Sequence, residues 1–432
     1  MTSELSSIRE YVPAGKPTSA ITAGMDRAMG FLWLALIVAT PLVFNPYSER
    51  VFEPEKAVTL RTLCFGILVL WVVRSLSARG TLSPPPPAAV GRAPRSVATG
   101  AALLWGAIVA VSTLLSIDPH LSWSGSYAWR QGTHTLFAGL VLFLSLTWHP
   151  RLHAWSGKLL TAMECTGLAV AAYGLLQFYG LDVVAWQRTI EGRAFATLGH
   201  PNFLAAYLVL VIPIACARFL ADRAWMHRVL HAVAALAGLF CLLLTFSRSG
   251  WLGLTGGGLA VALLWARSSR FRRRWATGFA LTVTALLALV ALAYIDPNGL
   301  FSHSPLEPLH SFLHGKSATT HIRTLTWKAT WNLVQARPLF GYGPDTFSLV
   351  FPRVFPPELS IYGGTVATGG RAHNELLDWA VNSGVLGLLA YLGLVAAVLS
   401  SGIGALPRID GKAQRLQFTG LLAGLTGYLI QH

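Results

Sequence analysis

Residues 229–266 read VLHAVAALAGLFCLLLTFSRSGWLGLTGGGLAVALLWA. Two apolar runs, 229–246 and 250–266, close on a polar turn of about three residues, and the only Lys or Arg in the stretch is Arg248. Each run approaches the ~20 residues that a helix needs to cross hydrocarbon. A hairpin of this kind reads as two membrane spans joined at the surface. Outward from it, similar runs lie at 29–46, 57–74, 96–116, 133–148, 158–179, 201–217, 276–295, 375–400 and 416–432. The composition agrees. Of 432 residues, 53% are hydrophobic and 12% charged, against about 25% charged in soluble chains. A water-soluble enzyme is excluded. The expected fold is an all-α polytopic membrane protein with about 11–12 transmembrane helices.

The 33 Lys and Arg against 18 Asp and Glu give a net charge of +15. In a soluble chain that excess would suggest nucleic acid. Here it sorts by side. With residues 1–28 as a cytoplasmic tail, the inner segments hold 20 Lys and Arg and the short outer loops 6, the pattern of the positive-inside rule. A long outer loop, 296–372, holds 6 more, and Arg61, inside the second span, completes the set. The Arg272–Arg274 run is expected to anchor the topology near anionic lipid. Membrane lipids are therefore the expected surroundings, and nucleic acid is not a partner. The chain divides into the tail, a membrane domain over 29–295, the long outer loop, and a second membrane part over 373–432. Pro84–Pro87 form a stiff inner linker. The last span ends at Gln431–His432 without a polar flank, so a longer parent chain is expected. Cys64, Cys165, Cys216 and Cys241 sit in apolar runs without CxxC spacing and read as small core residues.

The outer side collects the chemistry. Arg193 lies in a Gly- and Pro-punctuated loop that enters the sixth span near Asn202, and suits an anionic ligand or an interfacial turn. In Ser247-Arg248-Ser249 a guanidinium stands beside two hydroxyls, a cradle that matches phosphate oxygens. Arg323, Trp327 and Trp331 share a helical face, which suits a sugar, a phosphate or the headgroup layer. Glu375 and Asp378 fall in the first turn of the tenth span, and His373 lies at its rim, where nearby arginines would hold it neutral and basic. His303, Glu307, His310 and His314 include an i, i+4 His pair, but no HExxH is present and Pro305 and Pro308 interrupt the helix. No metal and no cofactor are expected. Gly256–Gly258 lies within a span and reads as close helix packing.

The order of these motifs resembles the O-antigen ligase and polymerase-related family. Gly192-Arg193 with Gly199-His200-Pro201-Asn202, then Ser247-Arg248, Arg323 with Trp327, Arg337 to Phe347, and His373-Asn374-Glu375 carry the resemblance over roughly 110–430. It implies a glycosyltransferase of C-type architecture with its long loop and active site in the periplasm and its N-terminus in the cytoplasm, in a bacterial inner membrane. Such enzymes move a glycan from undecaprenyl diphosphate to a hydroxyl of lipid A–core, a growing glycan or a protein. Arg248 and Arg323 match the diphosphate-contacting arginines and His373 the proposed base. Arg193 matches a further donor-side position, and His200 stands where the family more often has Asn. Asn374, Glu375, Trp327 and Asp345 are the supporting or acceptor-side residues. The resemblance leaves O-antigen ligase, polymerase and protein O-oligosaccharyltransferase open. From other classes, a transporter would place charges and broken helices near mid-bilayer, an assembly scaffold has no use for Arg248 in so short a turn, and a membrane O-acyltransferase needs a rim His but no arginine set.

Overall fold

The computed structural model describes residues 20–79, 92–182, 184, 192–266, 318–363 and 370–432. The ninth expected span, the Pro84–Pro87 linker, Arg272–Arg274 and the His303–His314 cluster lie outside them. The described residues form helices α1 (Ala20–Leu42), α2 (Glu53–Arg79), α3 (Arg92–Leu114), α4 (Pro119–Ser124), α5 (Thr133–Trp148), α6 (Leu152–Phe178) and α7 (Pro201–Ala221). They continue with α8 (Trp225–Leu244), α9 (Arg248–Ala266), α10 (Ala318–Ala336), α11 (Phe347–Val350), α12 (Leu359–Gly363), α13 (Glu375–Ala405) and α14 (Lys412–Gln431).

Seven helical segments are long and apolar enough to cross a membrane: Ile21–Leu42, Glu53–Ser77, Val97–Leu114, Leu152–Phe178, Pro201–Ala221, Trp225–Leu244 and Glu375–Arg408. The protein is an all-α polytopic membrane protein. Helices α5, α9 and α14 also stand where spans were expected. Large apolar side chains such as Phe65 (66% exposed) and Leu236 (66%) face outward. That is what a bundle surrounded by lipid requires. Cys165 and Cys216 share that exposure, which corrects their reading as core residues; Cys64 and Cys241 are buried.

Packing follows from small residues. Helix α14 lies against α7 and α9. A Cβ on Gly257 would stand 2.3 Å from the Ala423 carbonyl oxygen, and one on Gly424 would stand 2.7 Å from that of Leu210. Only glycine lets these backbones approach so closely. The glycine run at 256–258 is thus part of a helix seam, although Gly258 itself faces open space. Leu204, Leu208, Val170 and Cys241 fill the core between α6, α7 and α8. Trp33, Met29, Ile67 and Trp155 fill the core of the α1–α2–α6 side.

The tenth span is not one continuous helix. At buried Gly384 the backbone turns to φ 68° and ψ −175°. The segment Pro338–Gly343 lies against this break. Tyr342 N–H donates to the Val381 carbonyl (2.9 Å), Gly343 N–H to that of Asn382 (2.8 Å), and Val385 N–H to that of Pro338 (2.7 Å). The Ser112 hydroxyl bonds the Phe340 carbonyl (2.8 Å) and that of Asn382 (3.0 Å). Backbone groups freed inside an apolar layer must find partners, and the inserted segment supplies them. Residues 375–383 therefore cap one end of the bundle with α10 and α11, while the part after the break continues as the span.

Candidate active site

The connections after α1, α3, α6, α8 and α10 gather at one end. Thr197 Oγ1 donates to the Pro41 carbonyl (2.8 Å), and Ala194 N–H to that of Leu244 (3.0 Å). Arg61, the cation expected inside a span, donates to Thr135 Oγ1 (2.9 Å) and to the Ser124 (2.7 Å) and Arg130 (3.1 Å) carbonyls. It fastens the α4–α5 loop to α2. Asp345 Oδ2 accepts from Ser126 N–H (2.7 Å), Ser126 Oγ (3.1 Å) and Gln131 N–H (3.0 Å), so it orders that same loop. Burial raises its carboxyl above the usual range despite those donors.

Helix α7 opens here. A 3-10 turn at Ala196–Leu198 leads through Gly199 (φ 78°) to His200, whose Nδ1 accepts Asn202 N–H at 3.1 Å. His200 is thus the cap, with Pro201 at the first helical position, and Asn202 next to it has another task. Its Oδ1 accepts the Ser247 hydroxyl at 2.9 Å, tying the start of α7 to the start of α9. Ser247 Oγ in turn accepts Gly250 N–H (3.3 Å). Arg248 occupies the first helical position of α9, half-buried. Arg193 spans the same turn, with Nε on the Thr245 carbonyl (2.8 Å) and one terminal nitrogen on that of Phe246 (3.4 Å).

The third wall is α10 with the segment before α13. Trp327 Nε1 donates to the Ala372 carbonyl (2.9 Å), and Ala372 N–H donates to Asp378 Oδ1 (2.8 Å). The residue before His373 is so held from both sides. Asn374 caps α13 through Leu377 N–H (3.2 Å), and Glu375 accepts Trp379 Nε1 (2.8 Å). Arg371 lies over the Trp129 ring at 4.5 Å. Trp331, on the expected stripe, is 52% exposed.

Electrostatics tie these walls together. Burial first, and then repulsion from Arg193, His373 and Arg323, lowers the His200 pKa to about 4. The residue His373 is exposed, yet the protein groups around it displace enough water to hold its imidazole below the ordinary value, with Arg323 and then Arg371 adding repulsion. The structure thus brings Arg193, His200, Arg323 and His373 into one field and joins Arg248 to it through the Ser247–Asn202 bond. The starts of α7, α9 and α13 meet there, adding the positive ends of three helices. The positive-φ non-glycine residues among those described are Arg130, Ala196, Phe246, Asp345 and His373, and all lie at this end. Such strain clusters where function holds a backbone against its preference.

Sequence reasoning noted His200 only as a departure from the family pattern and Arg371 only as the start of the His373 motif, and gave neither a role in the site. His200 could have been found as a cap before a helix-opening proline; no local signal marked Arg371. No curated protein matches the sequence. Residues 233–392, which include Arg248, Arg323 and His373 but not Arg193 or His200, match the family described as O-antigen ligase. That match supports an O-antigen ligase-related family and a ligase- or polymerase-type glycan transfer for this chain.

Proposed function

We propose that the protein transfers a glycan from undecaprenyl diphosphate to an acceptor hydroxyl at the periplasmic face of a bacterial inner membrane, as an O-antigen ligase. The acceptor oxygen attacks the anomeric carbon as the C–O bond to the diphosphate breaks. His373 takes the hydroxyl proton, undecaprenyl diphosphate leaves, and the anomeric centre inverts. Arg248 and Arg323 stabilise the diphosphate charge that develops, in the role a divalent cation fills elsewhere. Each guanidinium about 4 Å from that charge contributes on the order of 4 kcal/mol at an effective dielectric of 20. Arg193, bonded to the α8–α9 turn, positions Arg248 and adds positive field. Trp327 and Asn374 hold His373 in place, and Glu375 and Asp345 stand on the acceptor side.

The observation that carries the reading is the His373 imidazole, exposed on strained backbone (φ 53°) and held toward the neutral form beside Arg323 and Arg371 where three helices begin. A neutral base in reach of a hydroxyl adds about 10²- to 10⁴-fold. The 20-to-6 charge count supports the periplasmic placement. A transporter would use the broken helix as an ion or substrate site, but here Pro338–Gly343 and Ser112 occupy its backbone groups.

The test is reconstituted transfer. Purified protein is mixed with an undecaprenyl-diphosphate glycan in EDTA, with lipid A–core, free glycan and serine peptide as parallel acceptors. Release of undecaprenyl diphosphate that needs one acceptor, survives EDTA, and falls in Arg248→Ala supports the reading. No release from any pair by folded protein overturns it.

A further inference from the structure

At the end of the bundle away from His373, a groove of about 560 Å³ opens between α1 and α6. That lies within the range of about 300–1,000 Å³ found for small-molecule sites. Ala154, Gly157, Ala162 and Cys165 fall on one face of α6 and, with Leu34 of α1, form its floor. Side chains this small leave the space between the two helices unfilled. A Cβ on Gly157 would meet nothing within 4 Å. Residues 154–165 extend about 16 Å along the helix at a rise of about 1.5 Å per residue, so the floor is a long apolar trough.

One cation stands in this apolar wall. Lys158 lines the groove from six residues inside the span that begins at Leu152, about 9 Å along the helix. A charge at that depth is costly unless an anionic or polar group meets it. Other cations within the spans are met. Arg218 pairs with Glu164 (2.9 Å), Arg74 with Asp26, and Lys56 donates to the Thr40, Pro41 and Val43 carbonyls. Lys158 has the Trp155 ring, 4.7 Å from its ammonium, and no carboxylate pairs with it among the described residues. The ring engages one side of the ammonium and leaves N–H donors for an anion on the other.

The rim adds charge of the same sign. Arg27 is exposed and lies on the α1 stripe of Phe31 and Leu34, at i, i+4 and i+7. Phe31 stands edge-on to Trp155 at 5.7 Å. Arg151, its side chain 49% exposed, precedes the first turn of α6. The acid beside them, Asp26, is 2% exposed and already held by Arg74, so the rim stays net positive. Cations at the mouth of an apolar trough between membrane helices suit an anionic lipid headgroup.

We propose that this groove binds an anionic phospholipid, with the phosphate between Lys158 and Arg27 and one acyl chain along the floor from Ala154 to Cys165. The site is independent of the transfer reading. A lysine that only reaches for the headgroup layer is indifferent to the shape of the floor. A bound chain is not.

The experiment is native mass spectrometry of the full chain in detergent, titrated with phosphatidylglycerol and with phosphatidylcholine of the same acyl chains. Wild type should bind its first phosphatidylglycerol at least about fivefold more tightly than phosphatidylcholine. Lys158→Ala should weaken that binding about fivefold, the effect expected of one basic residue beside anionic lipid, and Lys158→Arg should keep it. Gly157→Leu, which fills the floor, should weaken it to the same degree. Both positions are exposed, so neither substitution opens the core. Equal binding of the two lipids by wild type, an unchanged preference in Lys158→Ala, or a first lipid unaffected by Gly157→Leu would overturn the site. So would tighter binding of undecaprenyl phosphate than of phosphatidylglycerol.

Discussion

The two ends of the bundle treat charge in opposite ways. At the end where α1 begins and α2 finishes, Asp26 meets Arg74, His149 (3.2 Å) and Arg151 (3.9 Å). Nearby in the same layer of inner connections, Glu164, 1% exposed, meets Arg218 (2.9 Å) and His231 (2.6 Å). Among the described residues, the ion pairs all lie at this end. At the other end, arginines and imidazoles gather around each other and push His200 and His373 toward the neutral form. Matched charge closes a bundle. At this end Arg193 and Arg323 bear on His200, Arg323 and Arg371 bear on His373, and the backbone is strained, a local field that favours an anionic ligand.

The comparison breaks first at His373. Replacing it by Ala should cut turnover about 10²- to 10⁴-fold with the fold retained, read as kcat at saturating substrates. Arg323→Ala should cost about 10²- to 10³-fold in kcat/KM for the donor. If both kept wild-type transfer, the open end would be no active site. At the closed end the loss should fall on stability instead. Glu164→Ala takes the buried carboxylate from half-buried Arg218 and from buried His231, which keeps only Asp222 at 3.5 Å, at a cost toward the lower end of about 3–5 kcal/mol, seen as a lower unfolding midpoint with unchanged activity per folded molecule. A loss of specific activity with intact stability would erase the distinction. Trp327→Phe, which removes the bond to the Ala372 carbonyl and part of a ring that is 37% exposed, should cost about 0.5–1.5 kcal/mol, less than about tenfold in kcat.

The smallest effect sharpens the comparison through pH. His373 is held below its ordinary value of 6.5, so its neutral form persists as pH falls past that point. The acid limb of the transfer rate should lie below pH 6.5, and Arg323→Gln, by removing a repelling charge, should move it upward. An unmoved limb would take His373 out of that field. Stability follows the same sign at His200. The unfolded chain binds a proton there below about 6.5 and the folded chain only near 4, so that contribution is lost as pH falls across this window. His200→Asn should flatten the slope in an unfolding titration.

Much of this was legible along the chain. Apolar length gave the helices because each must satisfy its own backbone in hydrocarbon, a local condition. The two-residue neighbourhood of Arg248 already marked a cation that needed a reason. The glycine run at 256–258 announced a close seam, though only contact with Ala423 shows which glycine forms it. The break at Gly384 was invisible, because a buried glycine in an apolar run looks the same whether the helix continues or turns. The partners that make the turn stable, Pro338–Gly343 and Ser112, lie far away in sequence.

The sequence by itself determined that this is a helical membrane protein with its polar chemistry on one side. Hydropathy and the Lys/Arg imbalance are sums over residues and need no contacts. Only the tertiary structure decided that His200, and not Asn202, caps α7, that Asn202 binds Ser247, that Arg61 and Asp345 brace a loop, and that Arg371 lies over the Trp129 ring beside His373. Those assignments depend on which side chains come within a hydrogen bond of each other across loops of unrelated sequence. Packing fixes such distances, and no periodicity encodes them.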